Sequence, residues 1–386
     1  DPMELDAVVA GHICLDIIPE LPGPLPDRPG VLVETGPATL STGGAVGNTG
    51  LALHLIGLST ALMGKIGDDA LGRTLRGVID SYGAHLSRHM IVSPDESSSY
   101  TVVLSPPDTD RSFLHNPGPN DTFDSTDIPY EVVAQARLFH FGYPVLMRRF
   151  YESDTDQLPR MFRQVKESGL TTSLDTGCPD TSAVGHVDWV EILRNTLPYV
   201  DIFLPSEDEL RYMLNRPAFH AGPPITNEVI VQLAEESIRM GAKIVGIKCG
   251  ERGLYIRTAA AHRFEDFGRC LPADVGQWAD RELWSVCFEP SVFSGTTGTG
   301  DATIAGFLAA LLHGCSLGDS ATFACAVGAS CVEAPNATGG IQSWESTWKR
   351  LNRGWNRNGY QLDEDGWSHD IATGLWTGPR DDCGKS

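Results

Sequence analysis

Ser294-Gly295-Thr296-Thr297-Gly298-Thr299-Gly300-Asp301-Ala302-Thr303-Ile304-Ala305-Gly306-Phe307-Leu308 is the stretch that orders the rest of the chain. From Ala302 to His313 the apolar residues Ile304, Phe307, Leu308, Leu311 and Leu312 recur on one helical stripe, and Gly314 is a stop signal. Gly298 and Gly300 stand just before that helix. Glycine lets main-chain N–H groups crowd close to a ligand. Those groups and the positive end of the helix together make an anion site. Asp301 stands at its mouth. A carboxylate there opposes a bound phosphate, but it is useful where an attacking hydroxyl must lose a proton. Taken alone, Gly-x-Gly-Asp is equally an ordinary helix cap.

Upstream, short apolar runs alternate with helical patterns. Strands are expected at Ala7–Gly11, Ala61–Gly64, Leu138–Phe141, Thr172–Leu174, Ile202–Leu204 and Ile244–Ile247. Helical patterns fall at Ala45–Ile56 and near 159–168, 187–196, 206–214 and 226–240. This alternation predicts an α/β fold, a mainly parallel sheet with helices on both faces, whose ligands bind outside the carboxyl ends of the strands. Two segments break the rhythm. Residues 14–40 are proline-rich, and residues 98–116 read as a hairpin with its turn at Pro106–Asp110. Together they predict a small antiparallel flap. The tail beyond residue 350 holds Trp355, Trp367 and Trp376 among Gly, Asn and Asp, and is expected to dock by its aromatic rings.

The chain has 386 residues, 41% apolar and 20% charged, with a formal net charge of −21. Such a surface repels nucleic acid and anionic membranes, so neither is expected as a partner. Nine cysteines are scattered without a C-x-x-C pair, which argues against a zinc site or a disulfide framework and for a reducing cytoplasm. No signal-peptide pattern and no run of about 20 apolar residues is present. The one pair suggestive of a P-loop, Gly64-Lys65, lacks the preceding glycine (Ser59) and the following hydroxyl (Ile66), and Lys65 reads as a surface lysine.

Seven segments, in order, resemble the PfkB (ribokinase-like) carbohydrate kinase family over roughly residues 5–345. They are Gly11-His12-Ile13-Cys14-Leu15-Asp16, Gly43-Gly44-Ala45-Val46-Gly47-Asn48, Gly64–Gly72, Pro205-Ser206-Glu207-Asp208-Glu209, Lys248-Cys249-Gly250-Glu251-Arg252-Gly253, the Gly298–Asp301 run, and Asn336-Ala337-Thr338-Gly339-Gly340. The resemblance implies a ribokinase-like three-layer α/β/α kinase domain over about 1–350. Its small β lid would come from about 14–40 and 98–116, and 351–386 would be an extension. It implies a sugar kinase using ATP and Mg2+, with Asp301 as base and Gly298, Thr299 and Gly300 as its anion site. Ser206, Lys248, Gly250, Gly253, Asn336 and Gly339 would surround the nucleotide, and Glu209 would orient magnesium through water.

The residues themselves suit these roles. Asp16 and Asn48 offer a carboxylate and an amide for sugar hydroxyls beside the Gly43-Gly44 pair. Arg111, on the flap hairpin, could reach over the cleft to substrate or transferring phosphate. His115, Asn116 and Asn120 are further polar candidates for sugar contact, while His140 reads as a core histidine. The chain also departs from the family. Gly295 replaces an aspartate associated with a monovalent-cation site, so potassium is not implied. Ser206 replaces Asn, and Cys14 and Ala45 stand where ribokinases proper have Asn and Lys. The acceptor is therefore not named. A nucleoside kinase, for which Tyr143 and Phe113 are candidate aromatic contacts, and a non-catalytic sugar or nucleotide sensor stay as alternatives. A homodimer through the lid is also expected, because a small sheet leaves edges and an apolar face to cover.

Overall fold

A computed structural model describes residues 5–25, 28–107, 112–152, 156–177, 185–222, 224–362 and 365–382. Six parallel strands form the body of a ten-stranded sheet, in the spatial order Thr60–Met63, Leu5–Gly11, Ala136–Gly142, Thr171–Leu174, Ile202–Phe203 and Ile244–Lys248. Four antiparallel strands extend it: Leu254–Thr258, Glu282–Ser285, Leu375–Thr377 and Ser368–Asp370. The inner strands are apolar on both faces because both are covered. Val9, Leu62, Leu138 and Ile244 face the helices Gly44–Ile56, Thr299–Leu312 and Leu317–Cys331. Val8, Ala61, Phe139 and Val245 face Gln157–Glu167, Trp189–Thr196 and Asn227–Met240. The result is the three-layer α/β/α arrangement expected of a ribokinase-like chain.

The helix expected from Ala302 begins at Thr299 and is capped by Gly298 at φ 74°. Only glycine fits that position. The left-handed conformation disfavours a side chain, and a Cβ would come 2.3 Å from that of Ala337. Asp301 thus lies inside the first turn and is not the cap. Gly306 lets this helix approach Leu317–Cys331, since a Cβ there would meet Ala324 Cα at 2.8 Å.

The lid is a four-stranded sheet of Ala38–Gly43, Cys14–Pro19, Tyr100–Leu104 and Ser112–Asn116. Its outer pairings are antiparallel, and the central one, Cys14–Pro19 with Tyr100–Leu104, is parallel. The expected hairpin is present. Its tip, Asp108–Arg111, lies outside the described residues, so Arg111 cannot be placed. Asn120 proves to be a clamp and not a sugar contact. Fully buried, it accepts from the Ile13 N–H at 3.0 Å and donates to the Ile13 carbonyl at 2.9 Å, pinning the joint between sheet and lid. Lys65 is likewise not a surface lysine, since its ammonium is paired with Asp127 at 3.1 Å and donates to the Thr122 carbonyl.

The tryptophan-rich tail docks by its rings, as expected, and it also supplies two strands of the main sheet. Trp367 packs edge-on against Trp284 and Tyr255. Asp381 accepts from the Glu282 N–H at 2.9 Å and pairs with Arg281. The Arg380 N–H donates to Glu282 Oε2 at 2.7 Å. The fully buried Glu282 carboxylate also accepts from the Tyr255 hydroxyl and pairs with the Arg380 guanidinium at 3.6 Å. Deleting residues 361–386 is therefore expected to cost about 3–5 kcal/mol of stability, the usual result of stripping partners from a buried charge. Urea denaturation of the shortened chain checks this. Among the described residues, no helix is long and apolar enough to cross a membrane.

Candidate active site

A cavity of about 800 Å³ opens between the lid and the carboxyl ends of the parallel strands. Its lid side carries Asp16, Ser41, Gly43, Thr101 and His115, its floor Gly44 and Asn48, and its far end Pro335, Asn336 and Ala337. Five of the six residues expected at the substrate thus surround one space, the sixth being Arg111. The glycine pair is required by packing. A Cβ at Gly43 would come 2.6 Å from the Asp16 carboxylate, and one at Gly44 would strike His12. Burial pushes the Asp16 carboxyl up to about 6, against the hydrogen bonds from Cys14 and Thr101. The buried His12 imidazole is held down to about 3 by burial and by His115. Ala45 and Gly142 do not line the cavity. They are buried against each other, and a Cβ on Gly142 would lie 2.2 Å from that of Ala45.

Asp301 is 3% exposed and accepts three hydrogen bonds. Asn48 Nδ2 donates to Oδ2 at 3.0 Å, Thr49 Oγ1 to Oδ1 at 3.0 Å, and the Tyr143 hydroxyl to Oδ2 at 2.7 Å. Burial raises its pKa, and these donors together with Lys248 only partly offset that. A general base gains from a pKa moved toward the working pH. Of the turn expected at Gly298–Gly300, the Thr299 N–H is already bonded to the Thr296 carbonyl at 3.2 Å, whereas the N–H groups of Gly300 and Asp301 lie in the first helical turn, ahead of the intrahelical ladder, and are open to an anion.

Lys248 leaves the end of its strand and pairs with Asp175 Oδ1 at 2.9 Å. Its ammonium would be 3.6 Å from a Cβ on Gly300, which puts the charge beneath the anion turn. Burial opposes that charge, but Asp175, Glu209 and Asp301 outweigh it and raise the Lys248 pKa. Asp175, absent from the sequence expectations, is buried just past the strand Thr171–Leu174. A carboxylate directly after a buried parallel strand was the signal for it.

Ser206 and Glu209 form a reciprocal helix cap. The Glu209 N–H donates to Ser206 Oγ, and the Ser206 N–H to Glu209 Oε2 at 2.8 Å. Thr176 also donates to Oε2, at 3.0 Å, whereas Oε1 has no hydrogen-bond partner among the described residues. No group of three or more His, Cys, Asp or Glu able to cage a metal occurs among the described residues. This donor set fits a magnesium ion held through water and nucleotide phosphates, since that ion dehydrates reluctantly. Gly250 and Gly253 form the tight turn between Ile244–Lys248 and Leu254–Thr258, and Gly339 donates to Asn336 Oδ1 at 2.6 Å. None of these three glycines lines the cavity.

The chain is similar to known proteins in sequence and in fold. Residues 4–344 match the model of the pfkB family carbohydrate kinases. An uncharacterized sugar kinase of Archaeoglobus fulgidus is 27% identical over 282 residues, covering 73% of this chain and 94% of that protein. Among solved structures, Arabidopsis thaliana ribokinase complexed with ribose and ATP superposes with a TM-score of 0.70 at 22% identity, over 90% of this chain and 99% of that one. Burkholderia thailandensis nucleoside kinase in complex with inosine gives 0.64 at 16% identity, over 92% and 100%. With a family match over residues 4–344 that spans both the lid and the glycine-capped helix of Asp301, the chain belongs to the pfkB family of carbohydrate kinases.

Proposed function

We propose that the protein transfers the γ-phosphate of ATP to a primary hydroxyl of an uncharged sugar. The observation that carries this reading is Asp301, buried in the first turn of a glycine-capped helix and tied by Asn48 to a cavity faced by Asp16. Asp16 and Asn48 hold acceptor hydroxyls. Asp301 takes the proton of the reacting one, and the Gly300 and Asp301 amides with Lys248 steady the phosphate charge. Asn336, at the far end of the cavity, is assigned to the nucleotide together with Ser206, Gly250, Gly253 and Gly339, which lie beyond the cavity lining. Glu209 holds magnesium through water, and that ion supplies charge neutralisation on the phosphates when bound. An uncharged acceptor is favoured over a sugar acid because the Asp16 carboxylate faces the cavity and would repel a second carboxylate.

A nucleoside acceptor is the second reading. Ile18, Val103 and Phe113 face the cavity from the lid, an apolar surface suited to a base. A panel of sugars and nucleosides in a coupled ADP-release assay tests both. Steady release with an uncharged sugar supports the first, release with nucleosides alone the second. Release with no acceptor of either class would leave the sensor alternative.

Acceptor binding also has an expected pH dependence. Hydroxyls donate to an ionised Asp16, whose carboxyl titrates at about 6. The acceptor KM should therefore rise below pH 6, by up to about tenfold per pH unit, and level off above it. Because the folded pKa is the raised one, ionisation disfavours the free folded state, so this group's contribution to stability falls as pH rises from about 4 to 6. KM measured across pH 5–8, with Asp16→Asn as the flat control, checks the first effect.

The lid is also proposed as the surface joining two copies. Leu40, Ile17, Val102 and Leu114 are cross-strand neighbours on its face away from the cavity, and Leu40 and Leu114 are 45% and 59% exposed.

A further inference from the structure

Tyr143 follows the strand Ala136–Gly142 and has φ 64°, a conformation that bulky side chains rarely adopt. Its N–H donates to the Asp175 carbonyl at 3.3 Å, which fixes the main chain at the sheet end. Its ring lies on Gly177, where a Cβ would approach the ring to 2.9 Å. This backbone points the phenol at Asp301, to which it donates at 2.7 Å. Burial, with Asp301 and Asp175 nearby, raises the phenol pKa well above its ordinary value, so it keeps its proton. Tyr143 lines the cavity and Asp301 does not. A group entering the cavity therefore meets the phenol before it meets the base. The other two donors to Asp301, Asn48 and Thr49, come from the helix Gly44–Ile56.

We propose that Tyr143 is a gate between the cavity and Asp301. Its hydroxyl occupies Oδ2 in the resting site, and an acceptor hydroxyl frees the base by taking that place. This rests on the kinase reading above. Each carboxylate oxygen offers about two acceptor sites, and Asn48 and the phenol fill both of those on Oδ2 in the resting site. Once the acceptor displaces the phenol, its oxygen bonds to the γ-phosphorus. The bond from that phosphorus to the leaving ADP oxygen breaks, and the hydroxyl proton passes to Asp301. A water molecule lacks the sugar's other hydroxyls, which bind Asp16 and Asn48, and does not hold the phenol aside. The gate thus restrains hydrolysis of ATP when no acceptor is bound, a specificity role exercised through the position of the base.

Tyr143→Phe in the full chain keeps the ring and removes the hydroxyl. ADP release from ATP with magnesium is measured without acceptor, alongside transfer to the acceptor found in the panel. The expected result is acceptor-free release raised about tenfold, a modest part of the usual worth of a general base. The acceptor KM should fall, since no phenol need be displaced, with kcat changed less. Adding Asp301→Asn should abolish the gained hydrolysis. Acceptor-free release at the wild-type level in folded Tyr143→Phe protein overturns the gate, and Tyr143→Leu repeats the test where the Phe variant melts early. In the wild type, an acceptor analogue with hydrogen in place of the reacting hydroxyl should leave ADP release at its basal rate, and stimulation by it also overturns the gate. The kinase reading fails differently: wild-type protein then phosphorylates nothing in the panel, whatever stands at position 143.

Discussion

Replacing Asp301 with asparagine is expected to lower turnover by about 10²–10⁴-fold, the range that general-base catalysis supplies, while acceptor and nucleotide still bind. The substitution keeps the size and most of the packing of a side chain that is 3% exposed. It removes the negative charge that burial makes expensive and that Asn48, Thr49 and Tyr143 satisfy with three hydrogen bonds. One amide oxygen can still accept from part of that set, so the fold should hold. An amide cannot take a proton from a sugar hydroxyl. The loss should therefore appear in kcat, with KM changed far less. Steady-state kinetics on the best acceptor of the panel, with calorimetric titration of both ligands, separates these effects.

Lys248→Met is expected to damage both stability and catalysis. Lys248 and Asp175 are nearly buried, with side chains 11% and 2% exposed. Removing the ammonium leaves Asp175 and Asp301 as buried carboxylates facing each other without their cation. Breaking a buried pair from one side costs about 3–5 kcal/mol. Part of that is avoided if Asp175 takes up a proton, and its pKa is already raised by burial. The variant should accordingly recover some stability at lower pH. The sign follows from the carboxyl: without Lys248 its folded pKa rises further, so stability is greater below that pKa and lost as pH increases through it. Turnover should fall as well, by about 10²–10³-fold, as when one charge-stabilising donor is removed from a transition state. Urea denaturation at pH 5 and pH 7.5 reads the first effect, and kcat on folded protein the second.

The features that were readable in the sequence are local ones. The six parallel strands announced themselves as apolar runs because both their faces are covered. Gly298, Gly300 and Asp301 stood out as a group because two glycines and a carboxylate directly precede an apolar helical stripe. What was not legible depends on pairs distant along the chain. Asp175 meets Lys248 across 73 residues, and Lys65 meets Asp127 across 62. Asn120 looked like a sugar ligand because a side-chain amide does not reveal that both its functions serve the Ile13 main chain. Tyr143 was noted only for its ring, since nothing in its neighbours announces a non-glycine residue at φ 64°. The tail strands Ser368–Asp370 and Leu375–Thr377 are three residues each, too short for a period; Glu282–Ser285 offers an edge to Leu375–Thr377, which in turn pairs with Ser368–Asp370.

Asp301 as the base of a phosphoryl transfer is the central claim, and following labelled phosphate tests it most directly. ATP labelled at the γ-phosphate is incubated with magnesium, the acceptor from the panel, and either wild-type or Asp301→Asn protein in a single turnover. The label is expected on a primary hydroxyl of the acceptor with wild-type protein, and still on ATP with Asp301→Asn at a time at least about 100-fold longer. Label released only as inorganic phosphate, or transferred by Asp301→Asn at the wild-type rate, would contradict the account.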